Sequence, residues 1–372
     1  MTQSILKKGL ALLASTALLF STAACSNGEN SVSSETGVLS AAPIVSSEPY
    51  KDTVTLAVPA SPVGIPAAVL LEKSAGDAAL NNYIGKVLSS DAEVSSSILE
   101  GEADVALLPL DEAIRLYQSS DGSIQLLALL SQSDLSIVTT DESITALEDL
   151  SGKTITVIGE NNFSSASLQA LLDKAEITAT IESVYDEATA VAALKDGSAE
   201  IVCLPEPATT TLLKEDLYFS PIQLSAAWTE NFGTTLPYSC LVIQKGFADS
   251  HIAKVQELLE EFSESTAIAT EDPISMSMFT ERQQILSLDL AEDVLSRSSP
   301  AFFAGAEMKN QVTAILQTLT AASSDFLEEG LPDDDFYRTE ELILPENISE
   351  PASPEEVSQE ASISDENVPS GS

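Results

Sequence analysis

The chain contains a single histidine, His251, in 372 residues. A metal centre built on several imidazoles and a histidine-dependent catalytic triad both need more than that. Basic residues are scarce as well: 16 Lys and Arg stand against 58 Asp and Glu, for a formal charge of −42. A surface of that sign repels phosphate backbones, so nucleic acid is not expected as a partner. Aromatic residues make up only 5 %, with one tryptophan, Trp228. Cysteine is limited to three positions. Cys203 and Cys240 fall inside apolar strands and read as buried thiols or as a disulfide of the kind tolerated outside the cytoplasm; a nucleophile is the weakest reading. After the first 25 residues no apolar run is long enough to cross a bilayer.

The first residues have the composition of an address rather than a fold. Lys7 and Lys8 precede GLALLASTALLF, and Thr22-Ala23-Ala24 leads into Cys25. The run is too short to span a membrane and ends in small residues. It resembles a bacterial lipoprotein signal, which implies that 1–24 is removed and that Cys25 becomes the lipidated (palmitate-bearing) N-terminus. Two or more acyl chains hold a protein stably where one is marginal. The protein is therefore expected to be exported and anchored by lipid to the outer face of the cell membrane of a Gram-positive organism. Residues 25–49, rich in Ser, Gly and Pro, read as a flexible tether; 345–372, acidic and without a basic residue, read as a disordered tail.

Between these ends the chain repeats itself. GEADVALLPLDEA, from Gly101, returns as GSAEIVCLPEPAT, from Gly197, at an offset of 96 residues. Upstream, TVTLAVPASPVGIPAAVLLEK, from Thr53, falls on TITVIGENNFSSASLQALLDK, from Thr154, at an offset of 101. Both copies change from a period of two to a period of 3.6, the mark of a strand entering a helix. Strands are expected near 53–58, 91–95 and 104–108, and again near 154–158, 180–185 and 199–204. Strands alternating with helices build parallel sheets, so the chain reads as two similar α/β lobes. Lobe I is expected to be discontinuous, 50–132 and 243–340, with lobe II and the hinge strands in 133–242.

Open parallel sheets bind ligands beyond the carboxyl ends of their strands. That rule selects Ser61, Pro62, Val63 and Gly64, then Pro109, Leu110 and Asp111, in the first lobe. In the second it selects Glu160, Asn161, Asn162, Phe163, Ser164 and Ser165, then Glu206 and Pro207. Phe163, Trp228 and Tyr238 are the rings weighed for stacking on a flat or cationic ligand, with packing favoured over contact for Trp228. Asp111, Glu160 and Glu206 stand in these loops and no Lys or Arg does, so a neutral or cationic organic solute is expected over an anion.

LEDLSGKTITVIG (from Leu147), LPEPATTTLL (from Leu204), YSCLVIQKGF (from Tyr238), GAEMKNQVTAILQTL (from Gly305) and GLPDDDFY (from Gly330) carry a resemblance to a known family. From about Tyr50 to Arg338 the sequence is similar to the nitrate/sulfonate/taurine-type substrate-binding proteins of ABC transporters, a family that includes binders of thiamine-pyrimidine precursors. The resemblance implies a type II periplasmic-binding-protein fold, two α/β lobes joined by two hinge strands with a cleft between them. It implies a small-molecule solute delivered to an ABC permease with its ATPase, and no enzymatic activity; some relatives make a thiamine pyrimidine, with histidines this chain lacks. A ligand sensor or adhesion lipoprotein of the same fold is the alternative. PASPVGI replaces the Gly-Pro-Thr usual in the first loop, and Leu110-Asp111 replaces a Pro-x-Asn turn, so the substrate does not carry over. No cofactor and no metal are expected, since Asp333, Asp334 and Asp335 are consecutive and lack the alternating spacing of a calcium loop.

Overall fold

Strand β1 (Thr53–Pro59) starts a run in which strand, helix and strand alternate twice. A computed structural model describes residues 53–339 apart from 328; Cys25, the signal, the tether and the acidic tail lie outside the described residues. After β1, the 3-10 segment Pro62–Ala67 leads into α1 (Ala68–Ala75), followed by β2 (Asn82–Leu88), α2 (Asp91–Leu99), β3 (Val105–Pro109) and α3 (Leu110–Ser119). The second copy has β6 (Thr154–Ile158), α4 (Phe163–Lys174), β7 (Thr180–Val184), α5 (Glu187–Asp196), β8 (Ile201–Leu204) and α6 (Ala208–Leu213). Between the copies lie β4 (Ile124–Ser131) and β5 (Ser136–Thr139). After them come β9 (Phe219–Gln223), α7 (Leu224–Phe232), β10 (Ser239–Gln244), α8 (Lys245–Ser250), α9 (Ile252–Glu271), α10 (Pro273–Arg282), α11 (Leu288–Arg297), β11 (Pro300–Ala304) and α12 (Gly305–Ala322).

One expected strand is a helix. Residues 91–95 belong to α2, because Ser90 caps it: its side chain accepts from Glu93 N at 3.3 Å, while Asp91 and Glu93 place negative charge in the first turn. The strand lies earlier, at Asn82–Leu88, where only Tyr83 is buried and the pattern is poorly apolar. Edge position explains this, since β2 pairs with β1 alone.

The strands form two sheets, in the orders β11-β4-β10-β3-β1-β2 and β7-β6-β8-β5-β9. The repeat is visible in the registers: Leu56 pairs with Val105 in the first sheet as Thr156 pairs with Val202 in the second, both parallel. β3 and β8 are continuous apolar runs because they are central strands, covered on both faces. Each then takes an antiparallel neighbour from outside its own copy, β10 beside β3 and β5 beside β8.

The chain passes between the sheets at 132–135 and again at 233–238. The two passages are tied together: Ser133 N donates to Leu236 O at 2.7 Å and Tyr238 N to Ser131 O at 3.0 Å. Further contacts flank them, with α12 packed on α4 on one side and α11 on α6 on the other. A single apolar cluster runs from Leu108 and Leu129 of the first sheet to Ile155 and Val157 of the second, through Met308 and Leu316 of α12. The sheets are closed against each other in this conformation.

Cys203 and Cys240 sit on β8 and β10, in different sheets, and both are unbridged; Cys240 Sγ instead approaches Leu108 O at 3.3 Å. The disulfide reading is thereby corrected. Burial in the apolar core pushes the Cys203 thiol up to about 12, which makes it a poor nucleophile at neutral pH. A chain starting at Ser26 is expected to take up two iodoacetamide adducts in urea without reductant and none in native buffer. A mass spectrum with no adducts in urea would restore the bridge.

The acidic triplet near the end is a fastening. Asp333 accepts from the Tyr117 hydroxyl at 2.5 Å, Asp334 pairs with Lys309 at 2.8 Å, and Asp335 pairs with Lys245. Arg338 N then donates to Leu126 O at 2.9 Å, which pins the segment to β4. Among the described residues no group of His, Cys, Asp and Glu side chains is arranged to hold a metal ion, and no helix is long and apolar enough to cross a membrane.

Candidate functional site

A cavity lies where the 132–135 passage meets the first strand-to-helix turn. Pro62, Val63, Leu295 and Pro300 supply apolar lining, and Gln132, Asp134 and Tyr238 polar groups. Gly64 shapes the turn: a Cβ there would stand 2.2 Å from Pro59 O, so only glycine lets the chain fold back so tightly on β1.

Two acceptor oxygens on residues lining this cavity lack a hydrogen-bond partner. Asp134 Oδ1 and Gln132 Oε1 are sealed from solvent and have no hydrogen-bond partner among the described residues, and the same holds for Ser61 Oγ beside Pro62. Such atoms cost about 1 to 3 kcal/mol each unless a ligand or water satisfies them. Burial, and then the negative charge of Glu206, push the Asp134 carboxyl up to about 7; backbone N–H groups of Asp134 and Glu206 offset this only in part. Tyr238 is held well above its ordinary value by burial, followed by the charges of Asp134, Asp111 and Asp91. Its ring stands 5.2 Å from that of Phe163, so a side chain of the second lobe touches the passage residue.

Glu206 is close by, but not as a free carboxylate. It is buried, and Arg297 of α11 reaches across from the first lobe so that Nε donates to Glu206 Oε1 at 2.7 Å. The same guanidinium donates to Ser220 Oγ at 2.9 Å and Ser136 Oγ at 3.2 Å, while Glu206 Oε2 accepts from Thr210 N at 3.0 Å. Asp111 likewise has a cation, Arg115, at 3.1 Å. The expectation of three acids without a counter-ion therefore needs correction, since both cations come from helices rather than from the strand-end loops. What has no partner is a single oxygen, Asp134 Oδ1, together with Gln132 Oε1.

The remaining sequence-selected residues divide by what they do locally. Leu110 is core, and its N–H donates to Tyr238 O at 2.8 Å, which locks the end of β3, at Pro109, to the passage. Asn162 and Ser165 cap α4 reciprocally, at 3.1 Å in each direction, so neither offers its side chain freely. Ser164 lies half-buried in the first turn of α4. Pro207 precedes α6 and its carbonyl accepts from Thr211 N at 2.9 Å. Trp228 is packing: it is buried, stacks on Phe232 at 4.1 Å and donates to Thr234 Oγ1 at 3.3 Å. Glu160 and Asn161 line a separate, open cleft with Arg115 and Gln118, and Asn161 accepts from Ser323 Oγ at 3.3 Å.

Two residues escaped the sequence reading. Asp134 had a signal, the polar break QSD inside the apolar stretch LLALLSQSDLSIV. Arg297 had none, because its partner lies ninety-one residues away on the other lobe.

A family profile described as NMT1/THI5 like matches residues 86–275. Solved structures align over most of the described chain. An ABC transporter from Parabacteroides distasonis is 18 % identical with a TM-score of 0.64, covering 78 % of this chain and 99 % of its own. The periplasmic aliphatic sulphonate binding protein of Escherichia coli is 15 % identical at 0.59, covering 75 % and 89 %. The periplasmic nitrate-binding protein of Synechocystis is 14 % identical at 0.50, covering 76 % and 83 %. No curated protein matches the chain. At these identities the likeness concerns the fold, two mixed α/β sheets arranged as in periplasmic binding proteins.

Proposed function

The chain belongs to the NMT1/THI5-like family, and on that premise we propose that it is the extracytoplasmic solute receptor of an ABC importer, lipid-anchored through Cys25. It captures a small organic molecule between its lobes and delivers it to a membrane permease. The supporting observation is the pair of orphaned acceptors, Asp134 Oδ1 and Gln132 Oε1, facing a cavity at the passage between the two sheets. A ligand that donates hydrogen bonds, neutral or cationic, satisfies them; a sulfonate or nitrate brings further acceptors against acceptors.

The mechanism is differential affinity. In this closed conformation the cavity has only about 30 Å³ of room, enough for roughly two waters by the usual measure of about 10–15 Å³ each. A solute enters when the lobes part about 132–135 and 233–238, and its hydrogen bonds to both lobes favour re-closure over a swollen cavity. The permease then recognises the closed, loaded form.

A thermal-shift screen of the chain from Ser26 against amines, aminopyrimidines, amino acids, sulfonates and nitrate tests this. A true ligand at one hundred times its Kd adds about 2.7 kcal/mol, which raises the melting temperature by several degrees. Amine-bearing solutes are expected to stabilise and anions are not. Stabilisation by anions alone would reverse the charge assignment, and none from any class would remove the receptor reading. Glu160→Gln, outside the cavity, is expected to leave affinity within about twofold, below 0.5 kcal/mol.

A further inference from the structure

We propose that the solute is an amphiphile, with a hydrogen-bond-donating amine head at Asp134 and an apolar tail received by the groove between α9, α10 and α11. This rests on the reading of the Asp134 cavity as the solute site and adds the chemistry of the solute's other end.

The groove has about 400 Å³ of room, against about 30 Å³ for the cavity. The two are adjacent, with Ala269, Leu295, Ser298 and Pro300 bordering both. These shared residues are uncharged, and the Ser298 hydroxyl is already spent on Val294 O at 2.7 Å. On the outer side, Ile274 of α10 leaves 68 % of its surface in solvent at the groove and offers an apolar face there. Glu292 is the one charged residue along the groove, and it is exposed.

Polarity is graded along this path. Orphaned acceptors stand at the inner end, whereas none of the residues lining the groove has a buried polar side-chain atom without a partner. A compact polar solute would satisfy the inner end and leave the groove unexplained. A molecule with a donor head and a chain of several carbons satisfies both: the head meets Asp134 and Gln132, and the tail displaces Leu295 or Pro300 slightly to run past Ile274. Glu292 at the rim disfavours an anionic terminus there.

The test uses n-alkylamines from propylamine to octylamine, below their aggregation concentrations, with the chain from Ser26 and calorimetry as the readout. Affinity is expected to rise about fourfold for each methylene that enters the groove. Ser296→Trp places a bulky ring in the groove at an exposed position, where it leaves the fold undisturbed. It is expected to abolish the chain-length gain while leaving propylamine binding unchanged. A flat series whose binding still depends on Asp134 would overturn the tail while the receptor reading stands. A gain that survives Ser296→Trp would overturn the groove as its location. Failure of every amine to bind would overturn the head assignment, and the tail with it.

Discussion

Arg297→Ala is expected to destabilise the protein by about 3 to 5 kcal/mol, the cost of leaving a buried charge without its partner. The side chain of Glu206 is only 1 % exposed, and Arg297, at 18 %, is the cation that meets it. Removing the guanidinium also strands Ser136 and Ser220, its two other acceptors. Urea denaturation would measure the loss, and the pair of changes Arg297→Met with Glu206→Leu should recover most of it, because two apolar groups leave no orphaned charge. The bond joins α11 of the first lobe to the end of β8 in the second, so the same variant should also shift the lobes towards an open arrangement. Small-angle scattering would register this as a larger radius of gyration. A loss under about 1 kcal/mol, typical of a surface pair, would show that Glu206 is not the sealed group described.

Asp134→Asn should act in the opposite direction on the ligand-free protein. The folded state holds the Asp134 proton up to about pH 7, whereas the unfolded chain releases it near 3.8. Between those values the unfolded state binds fewer protons, so the wild type loses stability as pH rises through the window. Above it the penalty is complete, about 4 kcal/mol, since each tenfold difference in proton affinity between the two states is worth about 1.4 kcal/mol. Asparagine never ionises and avoids it. The variant is therefore expected to be more stable than wild type at pH 8 and indistinguishable at pH 3.5, in denaturation curves taken at both. The same change should weaken a cationic solute by tenfold or more, since a charged hydrogen bond is worth about 1.5 to 3 kcal/mol. Equal stability at both pH values would mean that Asp134 is ionised and satisfied in the folded protein.

Much of the architecture was legible because it obeys local rules. The twin phrases ending at Leu108-Pro109 and Leu204-Pro205 mark two central strands, and continuous apolar runs identify such strands without a partner in view. β2 was misplaced because an edge strand has one paired side and little apolar demand, so NYIGKVL carries no alternation to detect. The site was half legible. Pro62 and Val63, selected from the rule about strand ends, and Tyr238, selected as a ring at the hinge, line the cavity. Asn162 and Ser165 were chosen by the same rule and serve capping, because a loop position does not say whether a side chain faces outward or closes its own turn; Trp228 was weighed as a ring and packs, as favoured. The charge balance was the least legible part. Arg297 and Glu206 meet only after both lobes have folded, and no spacing along the chain announces an ion pair of that kind.

The interleaving of β10 has a consequence for how the protein is made. β10 comprises residues 239–244, yet it lies between β3 and β4, which end by residue 131. As a nascent chain emerges N-terminus first, more than its first half is made with a gap in its first sheet. The facing edges of β3 and β4 then present unpaired amides and carbonyls on apolar strands, the surface to which stray strands add. The second sheet has no such wait, because β5 through β9 follow one another in the chain. It can form while the first is still incomplete; the arrival of β10 then fills the gap between β3 and β4, and β11 adds to the edge of β4 afterwards. A chain that stops short of Ser239 keeps the gap, so completeness of the first sheet depends on a strand drawn from well past the middle of the chain.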